Sequence, residues 1–225
     1  MFESLNGLIN EKELDNIKSK KILVVGLGGV GSIACESLVR SGIHNIDLID
    51  FDKYEESNLN RQLYSLNSTI GKYKTEVARN RLLDINKDLN INIYTKKLDE
   101  SLINELDTNY NYIVDAIDDV KAKILLIKFA INNNIKIISS MGTGNKLEPL
   151  KLEITTINKT EYDPLAKVIR KRLKKEFITY KLPVVSSKEV PIKDNGLKSF
   201  FPVTNTAGIL LSTFVINDIL KKENE

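Results

Sequence analysis

The stretch Lys21-Ile22-Leu23-Val24-Val25-Gly26-Leu27-Gly28-Gly29-Val30-Gly31 decides the fold. Four apolar residues running into a glycine read as a short strand buried on both faces, the kind found in parallel sheets. Gly26, Gly28 and Gly31 keep the GxGxxG spacing, with Gly29 among them, and Val30 to Arg40 then repeats apolar residues at helical spacing until Ser41-Gly42 stops it. Strand, glycine turn and helix in that order make a phosphate cradle. The absent side chains let the backbone approach phosphate oxygens, and the helix N-terminus supplies amide donors and partial positive charge. Asp50 ends the next strand, Ile46 to Ile49, where a carboxylate accepts hydrogen bonds from ribose hydroxyls. Taken alone the motif favours NAD and a dehydrogenase, and a glycine turn kept only for tight packing is the plainer alternative.

Working outward, strand-like and helix-like segments alternate from Lys21 to Ser139. A helix is expected over Tyr73 to Leu89, a strand over Ile91 to Thr95 and another over Tyr112 to Ala116. A helix over Val120 to Asn132 and a strand over Ile135 to Ser139 follow. This alternation predicts right-handed βαβ units on a doubly wound, Rossmann-like, mostly parallel α/β sheet. After Met141 the pattern changes to an α+β elaboration. Lys151 to Ile157 alternates as a half-exposed strand, and Pro164 opens a basic helix reaching about Phe177. Leu182 to Ser186 reads as a last strand and Ser187 to Ser199, with Pro191, Asn195 and Gly196, as an exposed loop. An apolar helix over Thr206 to Leu220 closes the chain. One domain over 1–225 is the simplest account, with residues 20–140 as nucleotide-binding core and 141–225 as elaboration.

With 42% hydrophobic and 28% charged residues among 225, the chain can bury a full core without disulfides or structural zinc. The single cysteine, Cys35, excludes an internal disulfide and a paired CxxC zinc site. Net charge is +3, too slight by itself to indicate nucleic acid. No N-terminal stretch pairs a basic start with an apolar run, and Ile209 to Ile216 is too short to span a bilayer. No signal peptide or membrane span is therefore expected, and a cytoplasmic protein is the default.

The residues beyond Asp50 argue against hydride transfer. Asp52 and Ser57-Asn58-Leu59-Asn60-Arg61-Gln62 precede Gly71-Lys72-Tyr73-Lys74, and Asp115-Ala116-Ile117-Asp118-Asp119 lies just past a strand's C-terminal end. A triphosphate uses such a set. Arg61 can fork to phosphate oxygens, Lys74 can act as a point charge, and Asp118 can hold Mg²⁺ against the phosphates. Singly, Arg61 also suits a surface ion pair, Lys74 a solvated helix position and Asp118-Asp119 a helix cap. Jointly they favour ATP.

From Gly26 to Asp118 the chain resembles the ThiF/MoeB/HesA family, the adenylating relatives of ubiquitin-activating enzymes. The resemblance implies that Asp50, Asn58, Arg61, Gln62 and Lys74 surround ATP, that Asp118 meets magnesium, and that a carboxylate is activated as its acyl-adenylate. Ser140-Met141-Gly142-Thr143-Gly144-Asn145-Lys146-Leu147-Glu148-Pro149, Asp163-Pro164-Leu165-Ala166-Lys167 and Val185-Ser186-Ser187-Lys188-Glu189 are similar to that family's tRNA threonylcarbamoyladenosine dehydratase branch. That branch implies tRNA bearing threonylcarbamoyladenosine as substrate. Its threonine carboxylate is adenylated so that the side chain cyclises. Activation of a ubiquitin-like or sulfur-carrier protein is the alternative within the family.

Carrier-activating members usually use a catalytic cysteine, whereas Cys35 sits on the apolar face of the first helix as a small packing residue. Intramolecular cyclisation needs no enzyme thiol. Lys167, Arg170, Lys171, Arg172, Lys174 and Lys175 crowd the basic helix and are the candidate tRNA contacts, against the alternative of a solvated face. Tyr162 and Tyr180 can stack on bases or pack. A homodimer is expected, with the C-terminal helix at its interface. One departure stands out: the family often supplies an N-terminal arginine to the partner's triphosphate, but no arginine precedes Arg40 and Gly7 occupies the place. Lys12 and Lys18 are the possible substitutes. His44, the only histidine, reads as structural, so proton transfer falls to Asp118, Asp119, a substrate group or water.

Overall fold

The computed structural model describes residues 3–5, 7–179, 181–193 and 196–221. Tyr180 and Asn195 lie outside the described residues. Seven strands form one sheet: β1 (Lys21–Val25), β2 (Asn45–Ile49), β3 (Asn90–Tyr94), β4 (Tyr112–Asp115), β5 (Lys136–Ser140), β6 (Leu152–Thr156) and β7 (Pro183–Ser187). Their order is β3-β2-β1-β4-β5-β7-β6, with only the β6–β7 pair antiparallel. This is the doubly wound α/β arrangement expected from the alternation. Strand order reverses between β1 and β4, so a crevice opens above their carboxyl ends, where ligands of such sheets bind.

Helices cover both faces. On one lie α1 (Glu11–Ser19), α2 (Gly31–Arg40), α3 (Lys74–Ile85) and α7 (Phe201–Lys221), packed over Ile22, Val24, Ile46 and Leu48. On the other lie α4 (Glu100–Glu105), α5 (Val120–Asn132) and α6 (Pro164–Lys175), over Leu23, Val25, Ile113 and Ile137. Burial on both faces explains why β1 reads as a continuous apolar run. Each of its aliphatic side chains contributes about 1.5–3 kcal/mol relative to exposure.

The sequence signal failed at several elements, each for a local reason. α1 carries few apolar residues, and it is held by an Asn10–Glu13 capping box, with Glu13 N–H donating to Asn10 Oδ1 at 2.9 Å. Short α4 depends on Asp99, whose carboxylate caps the Leu102 amide at 3.0 Å. α3 stops at Ile85 rather than Leu89, because Asn86 leaves the helix in an extended conformation. α7 starts at Phe201, five residues before the expected Thr206, since Pro202 fits a first helical turn.

By length and composition α7 can cross a membrane, with 21 residues and a mean hydropathy of 1.3, yet half of its apolar window is buried inside the protein. Gly208 brings it close to α2: a Cβ there would lie 2.3 Å from the Val30 carbonyl oxygen. α7 is therefore a core helix.

Candidate functional site

The glycine turn sits at the crevice. Gly26 has φ +89, and a side chain there would meet the Ala116 carbonyl at 2.7 Å, so only glycine lets β1 turn beside β4. Gly31 opens α2 so close to this turn that a Cβ would stand 1.7 Å from the Gly26 carbonyl oxygen. Asp50 fastens the turn from β2. Its Oδ2 accepts the Leu27 amide at 2.7 Å and its Oδ1 the Asp52 amide at 2.8 Å. Burial raises the Asp50 carboxyl above the usual carboxylate range, opposed by the charge of Lys74 and by these two amides.

Gly26, Gly28, Gly29, Asp50, Asp52, Asn58, Arg61, Gln62, Lys74 and Asp118 all line one cleft of about 980 Å³. Gly31 packs beneath it. Lys74 is buried at the start of α3, and its ammonium pairs with Asp52 at 2.9 Å. The Arg61 guanidinium is half-buried and donates to the Ser57 carbonyl at 2.6 Å and to Asn60 Oδ1 at 3.1 Å. Two neutral acceptors leave its positive charge uncompensated. Asn205 of α7 reaches across to donate to the Arg61 carbonyl at 3.2 Å, fixing the segment that carries the arginine.

Gln62 is buried, and its Oε1 has no hydrogen-bond partner among the described residues. Asp118 and Asp119 divide their work. Asp119 caps α5, accepting the Ala122 amide at 2.8 Å, while Asp118 is exposed, lines the cleft and makes no hydrogen bond or ion pair among the described residues. No cluster of three or more His, Cys, Asp or Glu among the described residues could enclose a metal. An ion at Asp118 would therefore complete its shell with phosphate oxygens and water, as Mg²⁺ commonly does.

The ThiF family model matches residues 3–187. The chain belongs to the ThiF family. It is 36% identical over 236 aligned residues to the tRNA threonylcarbamoyladenosine dehydratase of Bacillus subtilis (strain 168), covering 95% of this chain and 92% of that protein. It superposes on the structure of the Escherichia coli tRNA N6-threonylcarbamoyladenosine dehydratase TcdA in complex with ATP, with a TM-score of 0.94. There the identity is 32%, with 99% of this chain and 95% of that one covered. The adenylyltransferase and sulfurtransferase UBA4 of Saccharomyces cerevisiae is 35% identical over 146 residues, which is 65% of this chain but 32% of that protein.

In this ThiF-family chain Cys35 is fully buried, and burial pushes its thiol up to about 12. It donates to the Ser32 carbonyl at 3.1 Å and packs, as expected, so it offers no thiolate. Lys12 and Lys18 do not line the chain's own cleft, and Lys18 pairs with Asp15 at 3.3 Å.

On α6, Lys167, Lys171, Arg172, Lys174 and Lys175 are exposed. Arg170 differs from them. Its guanidinium donates to the Ile157 and Thr160 carbonyls, both at 3.1 Å, and to the Thr160 hydroxyl, so it ties α6 to the preceding turn rather than facing solvent. None of the six lines the cleft, although Pro164 and Leu165 at the head of α6 do. Tyr162 is exposed at φ +50.

Two buried networks escaped the sequence reading. Lys123 of α5, fully buried, pairs with Asp115 at 2.7 Å and donates to Ser139 Oγ at 2.9 Å and the Ser140 carbonyl at 3.0 Å. Asp115 in turn accepts the Ile117 amide at 3.1 Å, which sets the turn presenting Asp118. The second network joins Lys146, Asp163 and Glu189 behind the Met141–Lys146 wall of the cleft. Glu189 accepts the Leu147 and Glu148 amides, both at 2.9 Å, and Asp163 accepts the Gly142 amide at 2.9 Å while capping α6 at Ala166. Asn145, at φ +58, pins the loop expected to be merely exposed. Its amide donates to the Lys198 carbonyl and its carbonyl accepts the Ile192 amide, both at 2.8 Å, which brings Pro191 and Leu197 over the cleft. Only the residue types could have signalled these networks, because the bonds that close them, from Lys123 to Ser139 and Ser140, from Glu189 to 147 and 148, and from Asp163 to Gly142, join separate parts of the sequence.

Proposed function

We propose that this chain is an ATP-dependent tRNA threonylcarbamoyladenosine dehydratase. The observation that carries this reading is the end-to-end likeness to dehydratases of that name, one of them in complex with ATP, joined to a cleft whose free groups suit a triphosphate. The adenosine ribose meets Asp50, and the glycine turn and the α2 N-terminus take phosphate oxygens. Arg61 and Lys74 stabilise charge as the substrate's carboxylate oxygen bonds to the α-phosphorus and pyrophosphate leaves. Asp118 would hold Mg²⁺, which shields phosphate charge when bound.

The acyl-adenylate then has a good leaving group. A carbamoyl atom of the same side chain bonds to the acyl carbon, the bond to AMP breaks, and the carbamoyl proton passes to solvent. The enzyme's task is to align these groups and exclude other nucleophiles. No thiol is needed, which agrees with the buried state of Cys35. The exposed cations of α6 take tRNA phosphates, and Asp163, the cap of that helix, ties it to the cleft wall. A homodimer in the cytoplasm completes the reading.

The deciding measurement is mass spectrometry of nucleosides from threonylcarbamoyl-tRNA incubated with the protein and Mg-ATP. A cyclic product 18 Da lighter is expected, the mass of the water lost in ring closure. ATP–pyrophosphate exchange that depends instead on a small protein ending in Gly-Gly would favour a carrier-activating enzyme.

A further inference from the structure

The Met141–Lys146 turn follows β5 and lines the same cleft as the glycine turn. Its amides are not equivalent. Met141 donates to the Val185 carbonyl, Gly142 to Asp163 Oδ2 and Asn145 to the Lys198 carbonyl. Those of Thr143 and Gly144 have no partner among the described residues, although both residues line the cleft and are half-buried. A backbone amide that bonds nothing within the protein is open to an outside acceptor.

The direction of the Thr143 amide is set from behind. The Gly142 carbonyl accepts the Lys146 ammonium at 2.7 Å, and Lys146, only 2% exposed, is anchored by Asp163 at 3.7 Å. Across a trans peptide the carbonyl and the following N–H point opposite ways, so the Thr143 amide, on a residue that lines the cleft, faces away from the ammonium. A cation on the carbonyl also polarises the same peptide unit and strengthens its donor. Burial lowers the Lys146 ammonium below the ordinary lysine value, while Asp163 and Glu189 oppose that and keep the charge beside the turn.

We propose that the Met141–Lys146 turn is the acyl subsite. The Thr143 amide, seconded by that of Gly144, receives the substrate's carboxylate oxygen and then the negative charge that forms on it as the ring closes, and Lys146 is the positioning residue that aims the donor. This rests on the dehydratase reading. It goes further by assigning the oxygen that neither the nucleotide-binding groups nor the α6 cations contact. A donor aimed where charge develops raises the rate of the chemical step more than it tightens binding.

The test has two parts. In wild-type protein, amide hydrogen exchange is measured with AMP and with a threonylcarbamoyl-sulfamoyl adenosine, a stable mimic of the acyl-adenylate. Exchange at Thr143 is expected to slow at least about tenfold more with the mimic than with AMP. Separately, Lys146→Met is expected to lower kcat for the cyclic nucleoside about 10²-fold with the KM for ATP unchanged, and Lys146→Arg to recover most of the loss. Equal exchange with the two ligands overturns the subsite, whether or not the variant folds. So does a KM for ATP that rises in step with the loss, since that marks a general disturbance of the cleft. A wild-type enzyme that makes no cyclic nucleoside fails the parent reading instead, a separate outcome.

Discussion

Residues 20–140 and 141–221 build the two walls of one cleft by opposite means. In the first, local bonds set several of the groups facing the cleft: Asp50 accepts from Asp52, the Arg61 side chain donates to Ser57 and Asn60, and Asp115 sets the turn that carries Asp118, with longer bonds from Leu27 and Asn205 added. In the second, polar side chains close long-range bonds. Glu189 holds 147 and 148, Asn145 holds 196 and 198, and Asp163 holds Gly142. The first wall offers free side-chain charge to a ligand, whereas the second spends its charge internally and offers backbone. A motif can announce the first kind of construction and says little about the second.

The harshest way to break the first wall is at its turn. Gly31→Ala would place a Cβ 1.7 Å from the Gly26 carbonyl, forcing the turn apart. The expected cost exceeds the roughly 1–3 kcal/mol usual for overpacking, with ATP binding lost. Thermal melting together with calorimetric titration of ATP checks both. A melting point and affinity equal to wild type would mean that the turn is not the rigid cradle described.

Lys123→Met comes next and tests whether the first wall also depends on long-range support. Removing the ammonium leaves Asp115 fully buried and short of its cationic partner, which typically costs about 3–5 kcal/mol. Denaturant unfolding reads this directly. Lys123→Met/Asp115→Leu should recover much of the stability but slow adenylation, because the turn under Asp118 loses its anchor.

These networks also mark how far the sequence could be read. The sheet was legible because β1, β2, β4 and β5 are apolar runs at regular intervals, and the ATP set because its members cluster within short segments around a glycine turn. α1 was not legible, since a capping box rather than an apolar stripe defines it. Lys123 carries no signal of its own within an apolar helix, and only its Asp115 and Ser139 partners explain its complete burial. Arg170 looked like its basic neighbours, and the Ile157 and Thr160 carbonyls that claim it lie on a different element.

Arg61→Ala sharpens the comparison in the other direction. The side chain bonds only acceptors close in sequence, so melting should shift little, as for surface substitutions within about 0.5 kcal/mol. Adenylation, followed as ATP–pyrophosphate exchange in the presence of substrate tRNA, should fall about 10²–10³-fold. Activity lost at unchanged stability is the signature of a free charge. Lost stability instead would place Arg61 among the structural groups.

The gentlest change separates two uses of charge on one helix of the second wall. Lys171→Ala/Lys174→Ala/Lys175→Ala removes three exposed ammonium groups that pair with nothing among the described residues. Stability should stay within about 0.5 kcal/mol, and ATP affinity should not change. The logarithmic salt dependence of tRNA binding should become shallower by about one for each phosphate contact removed. Arg170→Ala, one helical position away, should do the reverse. Three carbonyl and hydroxyl acceptors lose a charged donor, costing about 1.5–3 kcal/mol, while the salt slope holds. Identical salt slopes for the triple variant and wild type would leave those lysines as a solvated face, and tRNA would then have to be gripped elsewhere on the rim.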